Sequence, residues 1–208
     1  MKRNFVISWS IANALGLSFG FLAFIQTLMF YAYGFNFDLH WDIEAAENSP
    51  QDTVYLITGL ALGLSVFGLV YTSFQAIVLR SYLQNIWQWI VFGAVGFLLI
   101  FLIILPFLSI WGHIPGPVEP FAIVFGGTLF TLLLQYRYLR KQGIAPARPI
   151  LWYVVGIVAG LAILFILYLA GMNVSWPLAV AFIGFVVGCS AGVFSAKHFY
   201  KALHKGTL

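Results

Sequence analysis

Six apolar stretches dominate this chain, running roughly Phe5–Tyr33, Val54–Leu79, Ile86–Trp111, Phe121–Tyr136, Ile150–Ala170 and Pro177–Ala196. A helix needs about 20 mostly apolar residues, at about 1.5 Å each, to cross about 30 Å of hydrocarbon. The fourth stretch is the shortest; it is expected to borrow Val118 at one end and to snorkel Arg137 at the other. In lipid every backbone N–H and C=O must be paired internally, and long continuous apolar runs are the helical way to do so. Charge agrees: 8% of the 208 residues are charged and 62% are hydrophobic, against about 25% charged in an ordinary soluble domain. The predicted fold is all-α, a polytopic membrane helix bundle with six transmembrane helices, in a single domain spanning residues 1–208.

The breaks carry turn chemistry. Pro50, Gln51 and Asp52 precede the second span, with Asp52 expected as the N-cap. Pro115, Gly116, Pro117 and Pro120 precede the fourth span, and Gly143, Pro146 and Pro149 precede the fifth. Asn173, Ser175 and Pro177 introduce the sixth.

The charges sort by side. Lys2 and Arg3 lie before the first span, and Arg80 lies between the second and third. Arg137, Arg140, Lys141 and Arg148 lie between the fourth and fifth; Lys197, Lys201 and Lys205 follow the sixth. Those are all ten basic residues, and six spans place every one on the same face. Asp38, Asp42, Glu44, Glu47, Asp52 and Glu119 are all six acids, and they fall on the opposite face. Lys and Arg mark the cytoplasmic side. Both termini are therefore expected to be cytoplasmic in a multi-pass protein of the cell (plasma) membrane, such as a bacterial inner membrane. One miscounted internal span would break this segregation. The net charge of +4 does not point to nucleic acid, because the basic residues cap apolar runs and form no stripe on a polar domain.

Smaller features fit the same frame. Met1, Lys2 and Arg3 before an apolar run look like a signal peptide, but the run exceeds the about 7–15 residues of a signal core and is expected to stay as the first span. All seven tryptophans fall near a span end and suit two interfacial aromatic belts, Trp9, Trp87, Trp89 and Trp152 inside and Trp41, Trp111 and Trp176 outside. The single cysteine, Cys189, excludes an intrachain disulfide and reads as a small packing residue.

Three two-helix units recur, about 1–80, 81–140 and 141–208. Odd spans open on Trp9/Asn13/Gly16, Trp89/Gly93/Gly96 and Trp152/Gly156/Ala159. Even spans close on Gln75 five residues before Arg80, and on Gln135 five before Arg140; the third unit has Ala196 and Lys201 there. Units of equal membrane orientation would be related by an axis along the membrane normal. The Gln-x-x-x-Leu-Arg segments, each followed by a Trp-led, Gly-rich span, resemble uncharacterised multi-spanning bacterial membrane proteins with repeated Gln-Trp-x-x-Leu-Arg segments. Ala76 and Tyr136 stand where that pattern has tryptophan. The resemblance covers mainly residues 75–100 and 135–160 and implies no activity.

Small residues predict close helix packing. Gly16/Gly20, Gly59/Gly63, Gly156/Gly160 and Gly184/Gly188/Gly192 are G-x-x-x-G patterns. In lipid there is no hydrophobic drive between helices, so close backbone approach supplies the contact energy. Polar residues fall on matching faces of the even spans: Ser65, Gly68, Thr72 and Gln75; Thr128, Thr131 and Gln135; Gly184, Gly188, Ala191 and Ser195. These faces, with Thr72, Thr131, Gln75 and Gln135 as interior polar groups, would line a pseudo-threefold centre. The plainer reading is interhelical hydrogen bonding, each bond worth about 0.6–2 kcal/mol.

Catalytic chemistry is sparse. No Asp, Glu, Lys or His lies in the middle of a span, which argues against proton coupling and intramembrane metalloproteolysis. The chain has no H-E-x-x-H, P-loop or G-x-S-x-G pattern, and no cofactor is implied. Outside, His40, Asp42 and Glu44 alternate as metal-ligand types, with His113 and Glu119 on the same side; the plainer reading is a solvated acidic loop. Inside, His198 and His204 among three lysines read as an anionic-lipid contact.

Three functions follow in order of support. The first is a non-catalytic scaffold, accessory or assembly subunit, partnered by the lipid bilayer, by itself or by other membrane subunits. The second is a small-solute transporter or its substrate-binding membrane component. About 200 residues, six spans and the Ala12/Gly16/Gly20 ridge resemble the membrane-embedded substrate-capture components of energy-coupling-factor vitamin importers. Gln26, Thr27, Tyr31, Thr58 and Asn173 are the neutral polar groups toward the outer face. The third is an enzyme built on the outer His and acidic residues.

Overall fold

A computed structural model describes residues 2–34, 50–111, 118–144, 147–169 and 176–205. Among them lie six helices and no strand: α1 Lys2–Gly34, α2 Pro50–Leu79, α3 Ile86–Trp111, α4 Val118–Lys141, α5 Ala147–Leu169 and α6 Trp176–Lys205. Within the described residues four helical segments are long and apolar enough to cross a membrane: Arg3–Phe30, Ile57–Leu79, Ile86–Ile103 and Phe182–His204. In α5 the described apolar segment is the shorter Ala147–Gly160.

Local chemistry explains the helix ends. Pro50 opens α2, where a fixed φ and a missing N–H cost nothing. Asp52 therefore sits inside the first turn, three residues past the N-cap position, and is not the cap expected of it. At the other end of the chain's fourth helix, Gly143 has φ +74°. Its N–H bonds to the Arg140 carbonyl at 3.1 Å, and the Ile144 N–H reaches back to Leu139 at 3.0 Å. This is a Schellman stop, sealed by the buried Leu139 and Ile144. Between α2 and α3 the chain turns in six residues, with Asn85 taking the left-handed conformation at φ 52° that asparagine tolerates better than most residues.

The helices pack as an open ring. α1 lies between α6 and α2, α3 between α2 and α4, and α5 rests on α6; α4 and α5 barely meet. Each well-packed seam runs over glycine. Along α1 and α6, a Cβ on Gly184, Gly188 or Gly192 would press on the backbone at Leu17, Ala14 and Ser10, at 2.9, 2.8 and 2.5 Å. Gly16 meets the Tyr71 carbonyl of α2, and Gly20 and Gly63 hold the rings of Phe67 and Phe24. Gly156 and Gly160 sit on Ala191 and Val187. Gly59 is buried in α2. The closest approach to another helix's backbone, Gly68 of α2 against Gly93 of α3, joins two glycines that belong to no G-x-x-x-G pattern.

The core is aromatic. Phe67, Phe97, Tyr71, Trp9 and Phe199 are almost wholly buried, with the Phe67 and Phe97 rings edge-to-face at 4.6 Å. The outward surface is apolar too: Phe30, Ile77, Leu133 and Leu151 are each at least 60% exposed. Facing water, such a surface would aggregate; facing acyl chains, it is the expected solvent contact.

Candidate functional site

Near the helix ends that carry the basic residues, polar side chains from four helices meet inside the ring. Asn13 of α1 is fully buried. Its Nδ2 donates to the Trp9 carbonyl at 2.8 Å, one turn back. Its Oδ1 accepts from Gln75 Nε2 of α2 at 2.8 Å and from the Tyr153 hydroxyl of α5 at 2.6 Å. Gln75 Oε1 in turn accepts from the Trp89 indole of α3 at 3.1 Å. The Tyr71 hydroxyl pairs with that of Tyr153. Beside this cluster the Trp9 indole donates to Ser195 Oγ of α6 at 2.9 Å, and Thr72 Oγ1 is shared between the carbonyls of Gly68 and Ile90 at 2.7 and 2.9 Å.

The cluster is uncharged, and Asn13 and Gln75 have both ends of their amides bonded. In a low-dielectric interior an unpaired polar group is costly, so such a network specifies which helix faces which. It offers no nucleophile–base pair and no free acid. Its consequence is register: five helices are tied at one level.

The fourth helix differs. Thr131 and Gln135 are each 1% exposed, and neither Thr131 Oγ1 nor Gln135 Nε2 has a hydrogen-bond partner. Gln75 and Gln135 are both buried, yet their surroundings are unlike. The indoles of Trp9 and Trp89, each near the start of an odd helix, donate to a side chain near the end of the neighbouring even helix. Trp152 stands at the corresponding place in α5, but is 37% exposed and stacks on His198 with ring centroids 5.1 Å apart.

One expectation changes. Trp9 and Trp89 do not serve an interfacial belt: they are 0% and 1% exposed and hydrogen-bonded inside the bundle. Trp87, 71% exposed, and Trp152 do look outward. Gln26 and Thr58, named as neutral polar groups toward the outer face, are exposed; Thr27 bonds its own helix at Ala23. Tyr31 and Asn173 fall outside what the structure describes of side chains, as do His40, Asp42, Glu44, His113 and Glu119. Among the described residues no three His, Cys, Asp or Glu side chains come together.

Sequence reasoning named Asn13 only within the pattern Trp9/Asn13/Gly16, gave it no partner, and passed over Tyr71 and Tyr153. Asn13 had a signal, lying four residues after Trp9 on the same helix face as Gly16 and Gly20. Compared with known protein families, curated proteins and solved structures, the chain matches none.

Proposed function

We propose that this protein is a non-catalytic integral membrane protein, a scaffold, accessory or assembly subunit of a membrane complex. In this reading six helices span the plasma membrane, both termini are cytoplasmic, and the chain consists of three two-helix units. The observation that carries it is the buried cluster around Asn13 and Gln75. Its groups satisfy one another and hold helices in place, and nothing in it is left over for catalysis. The glycine ridges are used within the chain, so a partner has the outward flanks of α4 and α5, where Leu133, Leu151 and Val158 are exposed. The two-helix unit draws support from the paired Trp–Ser195 and Trp–Gln75 bonds, and its third copy is the divergent one.

One observation favours a second reading, a small-solute carrier or the substrate-binding component of an importer. Thr131 Oγ1, packed against Gly96 of α3, and Gln135 Nε2 are buried on α4 without a hydrogen-bond partner. A single purification in mild detergent separates the two. Native mass spectrometry should find stoichiometric protein subunits with the tagged chain. A bare chain carrying a small polar molecule, lost on Gln135→Leu, would replace the scaffold reading with the carrier.

A further inference from the structure

We propose that the groove between α3 and α4 at the basic end of the bundle binds the phosphodiester headgroup of an anionic phospholipid. The groove has a volume of about 410 Å³, and Trp87, Val91, Phe92, Leu134, Arg137 and Lys141 line it. Its two walls are helix stripes. Trp87 and Val91 are spaced i,i+4 on α3; Leu134, Arg137 and Lys141 share one face of α4.

Chemistry runs along the groove in one direction. Val91, Phe92 and Leu134 make an apolar stretch of acyl-chain character. Arg137 and Lys141, both exposed, stand one turn apart at its basic end. Like charges at that spacing repel, and no acid offsets them, since the sequence has none between Asp52 and Glu119 or after Glu119. An anion between them relieves the repulsion, and an arginine fork suits a phosphate oxygen pair. Trp87, 71% exposed, supplies the amphipathic ring that favours headgroup depth.

The groove is also preformed. The Tyr138 hydroxyl is clamped to the Gln84 carbonyl. Gln142 grips the same residue twice, its Nε2 on the Gln84 carbonyl at 2.8 Å and its Oε1 on the Gln84 N–H at 3.2 Å. The α2–α3 turn is thereby pinned to the end of α4, and a lipid would bind without ordering the walls first.

The proposal rests on the membrane reading and on the basic end facing the cytoplasmic leaflet. It is tested on the full chain in neutral detergent by native mass spectrometry with added phosphatidylglycerol, phosphatidylcholine or inorganic phosphate. Phosphatidylglycerol should remain bound where phosphatidylcholine does not, and Arg137→Gln with Lys141→Gln should weaken it about tenfold or more. Arg3→Gln with Arg148→Gln, on α1 and α5, should leave it within about twofold. Both altered pairs are exposed, and a melting curve matching wild type verifies their folding. Equal binding by the Arg137/Lys141 variant, equal retention of phosphatidylcholine, or displacement by inorganic phosphate overturns the lipid site. Cell fractionation reads the membrane claim separately. A chain in the soluble fraction overturns that claim and the site with it; a membrane-bound chain indifferent to phosphatidylglycerol overturns the site alone.

Discussion

Gly188→Leu is expected to leave little folded monomer in mild detergent. The position lies midway along the α1/α6 seam, where a Cβ would stand against the Asn13 carbonyl and 2.8 Å from the Ala14 Cα. Those are backbone atoms, so no side-chain rotation relieves the collision, and α6 must move off α1. Overpacking in a well-packed interior costs about 1–3 kcal/mol, and here the helix also loses the contacts of Gly184 and Gly192 on either side. It also loses the Trp9–Ser195 bond two turns along α6. Val193→Leu is the control on the same helix. Val193 is 52% exposed, and its change should leave size-exclusion profile and melting temperature as in wild type. A Gly188→Leu protein that melts like wild type would place the ridge against lipid.

Asn13→Leu should be the most damaging change that removes only polar atoms. It takes the acceptor from both Gln75 Nε2 and Tyr153 OH while keeping similar volume. A buried donor left without a partner costs about 1–3 kcal/mol. Gln75 Nε2 keeps only its 3.4 Å contact to the Tyr153 hydroxyl, and Tyr153 keeps its Tyr71 partner, so the two weakened donors lower the melting temperature by roughly 5 °C at the scaling usual for a chain of this size. Thr131→Val makes the opposite case. Its hydroxyl has no partner to lose, so the change should be neutral or slightly stabilising. Thermal denaturation of the two variants side by side measures the difference. Equal losses would mean that burial alone, and not the hydrogen-bond network, sets the cost.

Much of the fold was legible because hydrophobic length is a local property. The helix over Ile86–Trp111 has the bounds its sequence predicts. The sixth extends from the expected Ala196 to Lys205, because Phe199, Ala202 and Leu203 continue the buried face after the charges begin. Neighbour relations were less legible. These helices are apolar all round, so periodicity does not say which face meets which helix. That information sits in pairs split across the chain, such as Gly68 with Gly93, or Asn13 with Gln75 and Tyr153. A G-x-x-x-G ridge announces itself within one helix, whereas a lone glycine opposite another 25 positions away does not. The polar cluster was legible only through Gln75, expected in the interior, while its partners Asn13 and Tyr153 were not, for a related reason. Charge marks function in membranes, and this cluster has none; Asn13 looked inert until its partners were adjacent. Tryptophan misled in the reverse direction, since interfacial position and burial can coincide near a helix end, as in Trp9 and Trp89.

The proposed scaffold and lipid groove both require that the chain cross the bilayer six times with its basic ends inside. Single cysteines introduced into a Cys189→Ala background test this directly with a membrane-impermeant maleimide. Glu47→Cys and Glu119→Cys should label on intact cells. Arg80→Cys, Arg148→Cys and Lys205→Cys should label only after lysis. Labelling of Arg80→Cys in intact cells would contradict the topology, and with it the placement of the polar cluster and the lipid groove toward the cytoplasm.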